Sequence, residues 1–184
     1  ALDSKIELLS EQNKTLEQIA QTFFKECFIE QKKPALDKNA NDINYSLGRI
    51  ADVATVLDSK RVPLASDIRA SRKGSYPYYG ATEVMDYIDN YIFDGVYVLV
   101  AEDGSVIDKN GYAVTQYVSG KIWVNNHAHV LQGKNGFTTE MLYLFFSQLK
   151  VNNIITGAVQ LKINQENLLN IPINIPSPAI LECY

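Results

Sequence analysis

Cysteine is scarce in this chain. Cys27 and Cys183 are the two present, at opposite ends of 184 residues. Two distant thiols make neither a disulfide framework nor a zinc cluster, and they fit a reducing compartment. Long apolar runs are missing too, since none reaches the roughly 18 residues a membrane helix needs. The chain opens on Ala1 and a charged helical pattern, which reads as no signal peptide and suits a fragment or a trimmed chain. These absences point to a soluble, cytoplasmic protein. Signatures of catalysis are lacking as well. There is no Gly-rich cofactor loop after a strand, no phosphate-binding loop, no serine elbow and no Asn-Pro-Pro-Tyr run. Asp94, Glu102 and Asp103 are the acids that could serve magnesium, but Gly104 stands where a common nuclease arrangement carries lysine. His127 and His129 are the only histidines. On a strand they would face one way, but a zinc site needs three or four ligands and no third is near in sequence. They read as hydrogen-bonded structural residues, and no metal site is assigned.

What is present is a globular balance. Hydrophobic residues make up 46% and charged residues 21%, enough apolar material at this length to bury a core. The net charge of −4 argues mildly against a nucleic-acid partner. Its distribution matters more. Five of the 17 basic residues fall between Lys60 and Lys73, whereas seven acids and no Lys or Arg lie between Glu83 and Asp108. A basic patch can therefore exist on an acidic protein.

Residues 2–32 contain no Gly or Pro, and Pro34 closes the run, so they read as one helix. Leu2, Ile6, Leu9, Asn13, Leu16, Ala20, Phe23 and Cys27 recur at alternating steps of four and three, a heptad seam with Asn13 at an a position. A rod of that length measures about 45 Å and extends past a small domain, leaving part of the seam in need of a partner. The alternative is an ordinary amphipathic helix lying on its own domain. Residues 34–46 are polar and read as a linker. From Leu47 the pattern changes to short runs rich in Tyr, Val, Ile and Thr: Ile50–Leu57, Tyr91–Phe93, Val96–Ala101, Ala113–Val118, Ile122–Val124 and His129–Leu131. Residues 138–149 return to a helical pattern with Thr138 or Thr139 as N-cap. Residues 154–161 read as strand or loop, and 165–170 as one helical turn. Residues 171–178 are extended, because each proline biases its predecessor away from helix. After Pro178 another helix begins. The fold class is α/β in the α+β sense: a long N-terminal coiled-coil-type helix (1–33), the linker, a mostly β domain with a few short helices (47–178), and the truncated start of a second helix (179–184).

These segments resemble the specificity subunits of type I restriction-modification systems. The helix ALDSKIELLSEQNKTLEQIAQTFFKECFIE is similar to the end of that family's conserved helical spacer. SYPYYGATEVMDYIDNYIFDG (75–95), VLVAEDGSV (98–106), YVSGKIWVNNHAHVL (117–131), ITGAVQLKINQENL (155–168) and IPINIPSP (171–178) follow in the family's order and cover most of the chain. Leu161 stands where the family commonly has proline. The resemblance implies a target-recognition domain whose long helix pairs antiparallel with a counterpart. It implies double-stranded DNA as ligand, with one half of a bipartite target read by this domain. It also implies docking to modification (methyltransferase) subunits and, through them, to restriction subunits. A second copy of the chain is a possible partner through the long helix. Under that reading the chain is not an enzyme and carries no cofactor; S-adenosylmethionine, ATP and magnesium belong to partner subunits. The alternatives are the recognition domain of a fused restriction-methylation enzyme and a coiled-coil adaptor that touches only protein.

DNA recognition needs phosphate anchors and base readers. The first candidates are Lys60, Arg61, Arg69, Arg72 and Lys73, interleaved with serines, where Arg can pair with guanine through two hydrogen bonds. A solvated surface loop is the plain alternative. The second set is Lys109, Asn110, Tyr112 and Gln116, since Asn and Gln suit adenine; a polar hairpin is the alternative. The third is Gln160, Lys162 and Asn164, whose alternate spacing places them on one face of an extended segment, against structural hydrogen bonding. Tyr76, Tyr78 and Tyr79 read as core and turn packing rather than a stacking platform.

Overall fold

The computed structural model describes residues 2–30, 45–157 and 160–181. They fall into two units, one made of the chain ends (up to Leu47 and from Asn174) and one of residues 48–173.

In the first unit, α1 (Leu2–Phe24) continues into a π-helical turn, Lys25–Ile29. The helix expected over 2–32 is thus α-helical through Phe24 and then widens; residues 31 and 32 lie outside the described residues. The widened turn goes with aromatic packing. The Phe24 and Phe28 rings stack at 4.5 Å, and both are buried with Cys27. The hydroxyl of Tyr45 donates to the carbonyl of Cys27, tying the helix end to the start of β1 (Tyr45–Arg49). β1 begins within the stretch read as linker, the rest of which lies outside the described residues. β1 and β8 (Pro172–Pro176) form a two-stranded sheet. The prolines sit at the two ends of β8, where the missing N–H costs least. The helix expected after Pro178 is α6 (Pro178–Leu181).

The second unit is built on a six-stranded sheet. Its strands are β2 (Ala54–Val56), β3 (Lys73–Tyr79), β4 (Val84–Ile88), β5 (Phe93–Ala101), β6 (Thr115–Val124) and β7 (Ala128–Gly133), in the order β2-β7-β5-β6-β3-β4. The run Ile50–Leu57, expected as a strand, opens instead as one helical turn, α2 (Ile50–Val53). Ile50 and Val53, three apart, are both buried, and the Asp52 carboxylate accepts the Arg49 N–H at 2.7 Å. Burial spaced by three suits a helix and conflicts with strand alternation. The run at 122–124 and the run at 113–118 from Thr115 onward are one strand, β6. The tyrosine-rich stretch from 75 supplies β3 and β4, which lacked a clean apolar alternation.

The β5–β6 ladder is antiparallel throughout, from Phe93↔Ile122 to Val100↔Thr115. Ala101 at the far end of β5 faces Ala128 of β7. Eight strand steps separate Phe93 from Ala101, about 27 Å if straight. The chain from Val124 to Ala128 spans at most about 14 Å. The ladder must therefore fold over. The bend is marked by the cross-strand pair Gly95↔Gly120, with φ of 147° and 87°, backbone conformations that favour glycine. The two arms close on one apolar cluster containing Phe93, Tyr97, Leu99, Val118, Ile122, Val124, Ala128 and Val130. Fully burying such side chains stabilises by about 1.5–3 kcal/mol each. A second cluster joins Tyr78, Ile88 and Trp123.

Helix α4 (Thr139–Phe146) packs on β5, β6 and β7, with Met141, Leu142, Leu144 and Phe146 buried. The Thr138 hydroxyl caps it by accepting the Met141 N–H at 3.2 Å. A single turn, α5 (Gln165–Leu169), precedes β8, as expected for 165–170.

Candidate nucleic-acid interface

The fold brings several loops to one end of the sheet, where β5 stops and β6 and β7 begin. The 3-10 turn Asp58–Lys60 arrives there because Val130 N–H donates to Asp58 Oδ1 at 2.9 Å and Leu57 N–H to Val130 O at 2.8 Å. Leu161 and Ile163 arrive through Gly104 N–H to Leu161 O at 3.0 Å and Ile163 N–H to Glu102 O at 2.8 Å. Thr156 and Lys162 exchange reciprocal main-chain bonds, both 2.8 Å. Glycine is required at Gly157: its φ is 91°, and a Cβ would lie 2.1 Å from Gln160 O. The β5–β6 connection, residues 102–114, completes the end. Its tip is preorganised by Asp108, whose Oδ1 accepts the N–H groups of Asn110 and Tyr112, both at 2.8 Å. Those bonds, Tyr112 first, hold the Asp108 carboxyl below its ordinary value.

A charge network lies under these loops. The buried His129 ring places Nδ1 2.6 Å from Asp58 Oδ2 and Nε2 2.8 Å from Ile163 O. A carbonyl oxygen only accepts, so Nε2 carries a proton there. Arg61 is nearly enclosed between the two acids, 2.7 Å from Glu102 Oε2 and 3.3 Å from Asp58 Oδ2, and it also donates to Ala128 O at 2.7 Å. Lys162 reaches the other Glu102 oxygen at 3.1 Å. Burial alone raises the Glu102 carboxyl. The Arg61 hydrogen bond, the charge of His129 and Lys162 outweigh it, and the net shift is downward. Asp58, Glu102 and His129 bring ligand atoms within 4.8 Å of one another, a spacing that could hold a cation. Arg61 and Lys162 already meet those carboxylates, and both His129 nitrogens are engaged. The chemistry of the set is that of an internal ion network. His127 is the exposed counterpart, with Nδ1 2.7 Å from Asp103 Oδ1.

This geometry sorts the sequence candidates. Arg61 is committed to the network. Arg69 donates to Leu64 O at 2.6 Å, lies over the Tyr78 ring at 5.1 Å, and pairs with Asp86 at 3.6 Å, too long for a hydrogen bond. Arg72 sits over the Trp123 ring at 5.0 Å and pairs with Asp89 at 2.8 Å. Lys73 pairs with Asp86 at 2.5 Å, and that lysine, then the Tyr87 N–H, holds the Asp86 carboxyl low. Gln116 donates to Gly80 O and Ala81 O at 3.3 and 3.1 Å, and Asn164 caps α5 by accepting the Asn167 N–H at 2.7 Å. Tyr112 is half-buried with Lys150 over its ring at 5.7 Å. Lys60, Lys109, Asn110 and Gln160 have exposed side chains, and neither Lys60 nor Lys109 forms an ion pair with a described residue. Lys162 keeps 46% of its side chain exposed. The loop end thus gathers Lys60, Lys109, Asn110, Gln160 and Lys162, while Arg69 lies on α3 (Ser66–Ser71), Arg72 caps it and Lys73 opens the strand that follows. Sequence reasoning missed Asp58; its place immediately before the basic cluster was the available signal. Tyr78 and Trp123 prove to be anchors: Leu64 N–H donates to Tyr78 Oη at 2.9 Å and Trp123 Nε1 to Val62 O at 2.7 Å.

On α1 the seam is open. Leu2, Ile6, Leu9 and Leu16 are 72%, 54%, 48% and 63% exposed, Asn13 is exposed between them, and Ala20 and Phe23 are half-buried. Among the described residues no helix is long and apolar enough to cross a membrane.

A head of loops on a folded-over sheet with a long open-seamed helix is a domain class met in known proteins. Residues 43–180 match the family model described as the type I restriction modification DNA specificity domain. The chain belongs to that family. It is 38% identical over 129 residues to a type I restriction enzyme specificity subunit of Haemophilus influenzae, covering 70% of this chain and 32% of that protein. Among solved structures it is similar to the type I restriction-modification S subunit of M. genitalium, with a TM-score of 0.60 at 18% identity over 82% of this chain and 40% of the other. A further structure, solved to explain complex assembly and conformational transition of the type I system, gives a TM-score of 0.52 at 13% identity over 99% of this chain and 48% of the other. These structures support the fold: a long helix and a mostly β domain with short helices. The chain spans about a third of the curated relative's length.

Proposed function

We propose that this chain reads one half of a bipartite DNA target and performs no chemistry itself. The observation that carries the reading is the gathering of Lys60, Lys109, Asn110, Gln160 and Lys162 at one end of the sheet, on loops held by internal hydrogen bonds. Lys60, Lys109 and Lys162 act as phosphate anchors; Asn110 and Gln160 have the paired donor and acceptor that suit adenine in the major groove. Arg61, Arg69, Arg72, Lys73, Gln116 and Asn164 hold those loops and the segment 57–72 in place. The exposed seam of α1 takes a second helix of the same kind, which sets the distance to the domain that reads the other half-site. Docking to modification subunits supplies the methyl transfer, with S-adenosylmethionine, and ATP and magnesium in restriction, handled by those partners.

The test uses the full subunit assembled with its modification subunits. Replacing Lys60 and Lys109 with Gln weakens binding to any duplex and lowers the slope of log affinity against log salt by about two. Replacing Asn110 with Ala reduces discrimination for the target, with a loss of about 1–3 kcal/mol if it makes a bidentate base contact. Unchanged salt dependence in the double variant together with unchanged discrimination in the Asn110 variant would overturn the reading.

A further inference from the structure

Away from the loop end, at the bend of the β5–β6 ladder, one cation stands out. Lys121 follows Gly120 in β6 and faces Asp94 across the ladder. It is exposed and has no ion pair with a described residue, unlike Arg61, Arg69, Arg72, Lys73 and Lys162. Its ammonium lies 4.7 Å from the centre of the Tyr91 ring, and Tyr91 in turn packs on Tyr76 at 5.1 Å. Its interaction with Tyr91, electrostatic first and then by hydrogen bond, and after that with Tyr76, holds the lysine above its ordinary pKa. The site is rigidly backed: Tyr76 belongs to β3, which pairs with β6, and Tyr91 lies two residues before the start of β5. Next to it the backbone is bare. Gly120 carries no side chain, and a Cβ built there would meet nothing within 4 Å. A cation over an aromatic ring, two phenol hydroxyls and an unobstructed glycine backbone make an open, donor-rich surface suited to an oxyanion on a long polymer.

We propose that Lys121, with Tyr91 and Tyr76, grips a DNA phosphate and so positions the duplex without reading its sequence. The inference rests on the DNA-reading role proposed above and adds a contact outside the loop end. Lysine is a point charge without the planar fork that reads guanine. A phosphate contact fixes register and carries no sequence information. The two surfaces divide the work: the loop end discriminates, and the bend anchors.

The experiment again uses the full subunit assembled with its modification subunits. Binding is measured over a salt series to two probes, a duplex carrying the target mapped from the host genome's modified sites and an unrelated duplex of equal length. K121Q is expected to weaken both by the same factor, roughly 3–10-fold, and to lower the salt slope by about one. K121R restores both. Y91F keeps the ring, loses the hydroxyl and gives a smaller loss. Assembly with the modification subunits is scored separately. Unchanged affinity and slope in K121Q overturn the proposal, as does a change in the ratio between the two duplexes. Impaired assembly with intact DNA binding would identify an acidic protein surface as the occupant and overturn it as well. A wild-type complex that binds the two duplexes equally would sink the half-site reading, and the K121Q salt slope would still report on this patch.

Discussion

His129 and Asp58 meet through a 2.6 Å contact between Nδ1 and Oδ2, joining residues 71 positions apart beneath the loop end. With the Val130 N–H bond to the same carboxylate, this pair holds the turn carrying Lys60 on β7, and His129 Nε2 joins it to the segment that carries Lys162. The loops that meet DNA in the proposed reading are therefore set in place by a buried ionic scaffold.

Removing Asp58 strands the buried His129 and takes one partner from Arg61. D58A is expected to destabilise the head by about 3 kcal/mol, the usual cost of breaking a buried pair from one side. Tm should fall by roughly 10 °C. Thermal unfolding followed by the fluorescence of Trp123, the single tryptophan, reads it directly. A change below about 0.5 kcal/mol would show that the network contributes little.

Glu102 gives this scaffold a pH dependence. Its folded-state carboxyl is held low, so the stability it contributes is present above the ordinary glutamate pKa of about 4.3 and is lost as pH falls through the lower folded value. Tyr117 acts at the other extreme. Burial and the Glu140 hydrogen bond push it up to about 12. Its contribution is complete below about pH 10 and is lost as pH rises toward 12. Urea unfolding across pH should show E102Q with a flatter acid limb and Y117F with a flatter alkaline limb.

The bend predicts a backbone effect. Gly120 has φ of 87° and open space for a side chain, so G120A tests conformation without a clash. It is expected to cost about 1–2 kcal/mol, the penalty for an L-residue in left-handed backbone. Guanidinium unfolding with an unchanged m-value checks that the fold persists.

The open seam predicts association through α1. L9D with L16D places charges at two exposed seam positions. Sedimentation of the full subunit, or of this chain if it self-associates, should show lost helix pairing while the near-UV spectrum of the head is unchanged. N13L should raise association strength and relax partner number, because a polar a-position residue specifies register at a cost in stability.

The long helix, the mostly β head, the Thr138 cap, the helical turn at 165–169 and the family were legible because each is local: a period, a cap, a proline or an ordered set of short motifs. The heptad in 2–23 needs no tertiary information to be seen. The family resemblance, too, was carried by residues quoted in order along the chain.

Which charges face outward was decided only by the tertiary structure. Arg61 and Lys60 are neighbours with the same charge. One is enclosed by Asp58 and Glu102 and the other is solvated. Their partners lie tens of residues away, and no window on the sequence contains them. The helical start at Ile50 was likewise settled by the burial of Ile50 and Val53 together, and the bend at Gly95 and Gly120 by a loop too short to span a straight strand. Sequence fixes the local conformational preferences; the pairing of distant acids, bases and strand ends determines which of those residues remain available to a ligand.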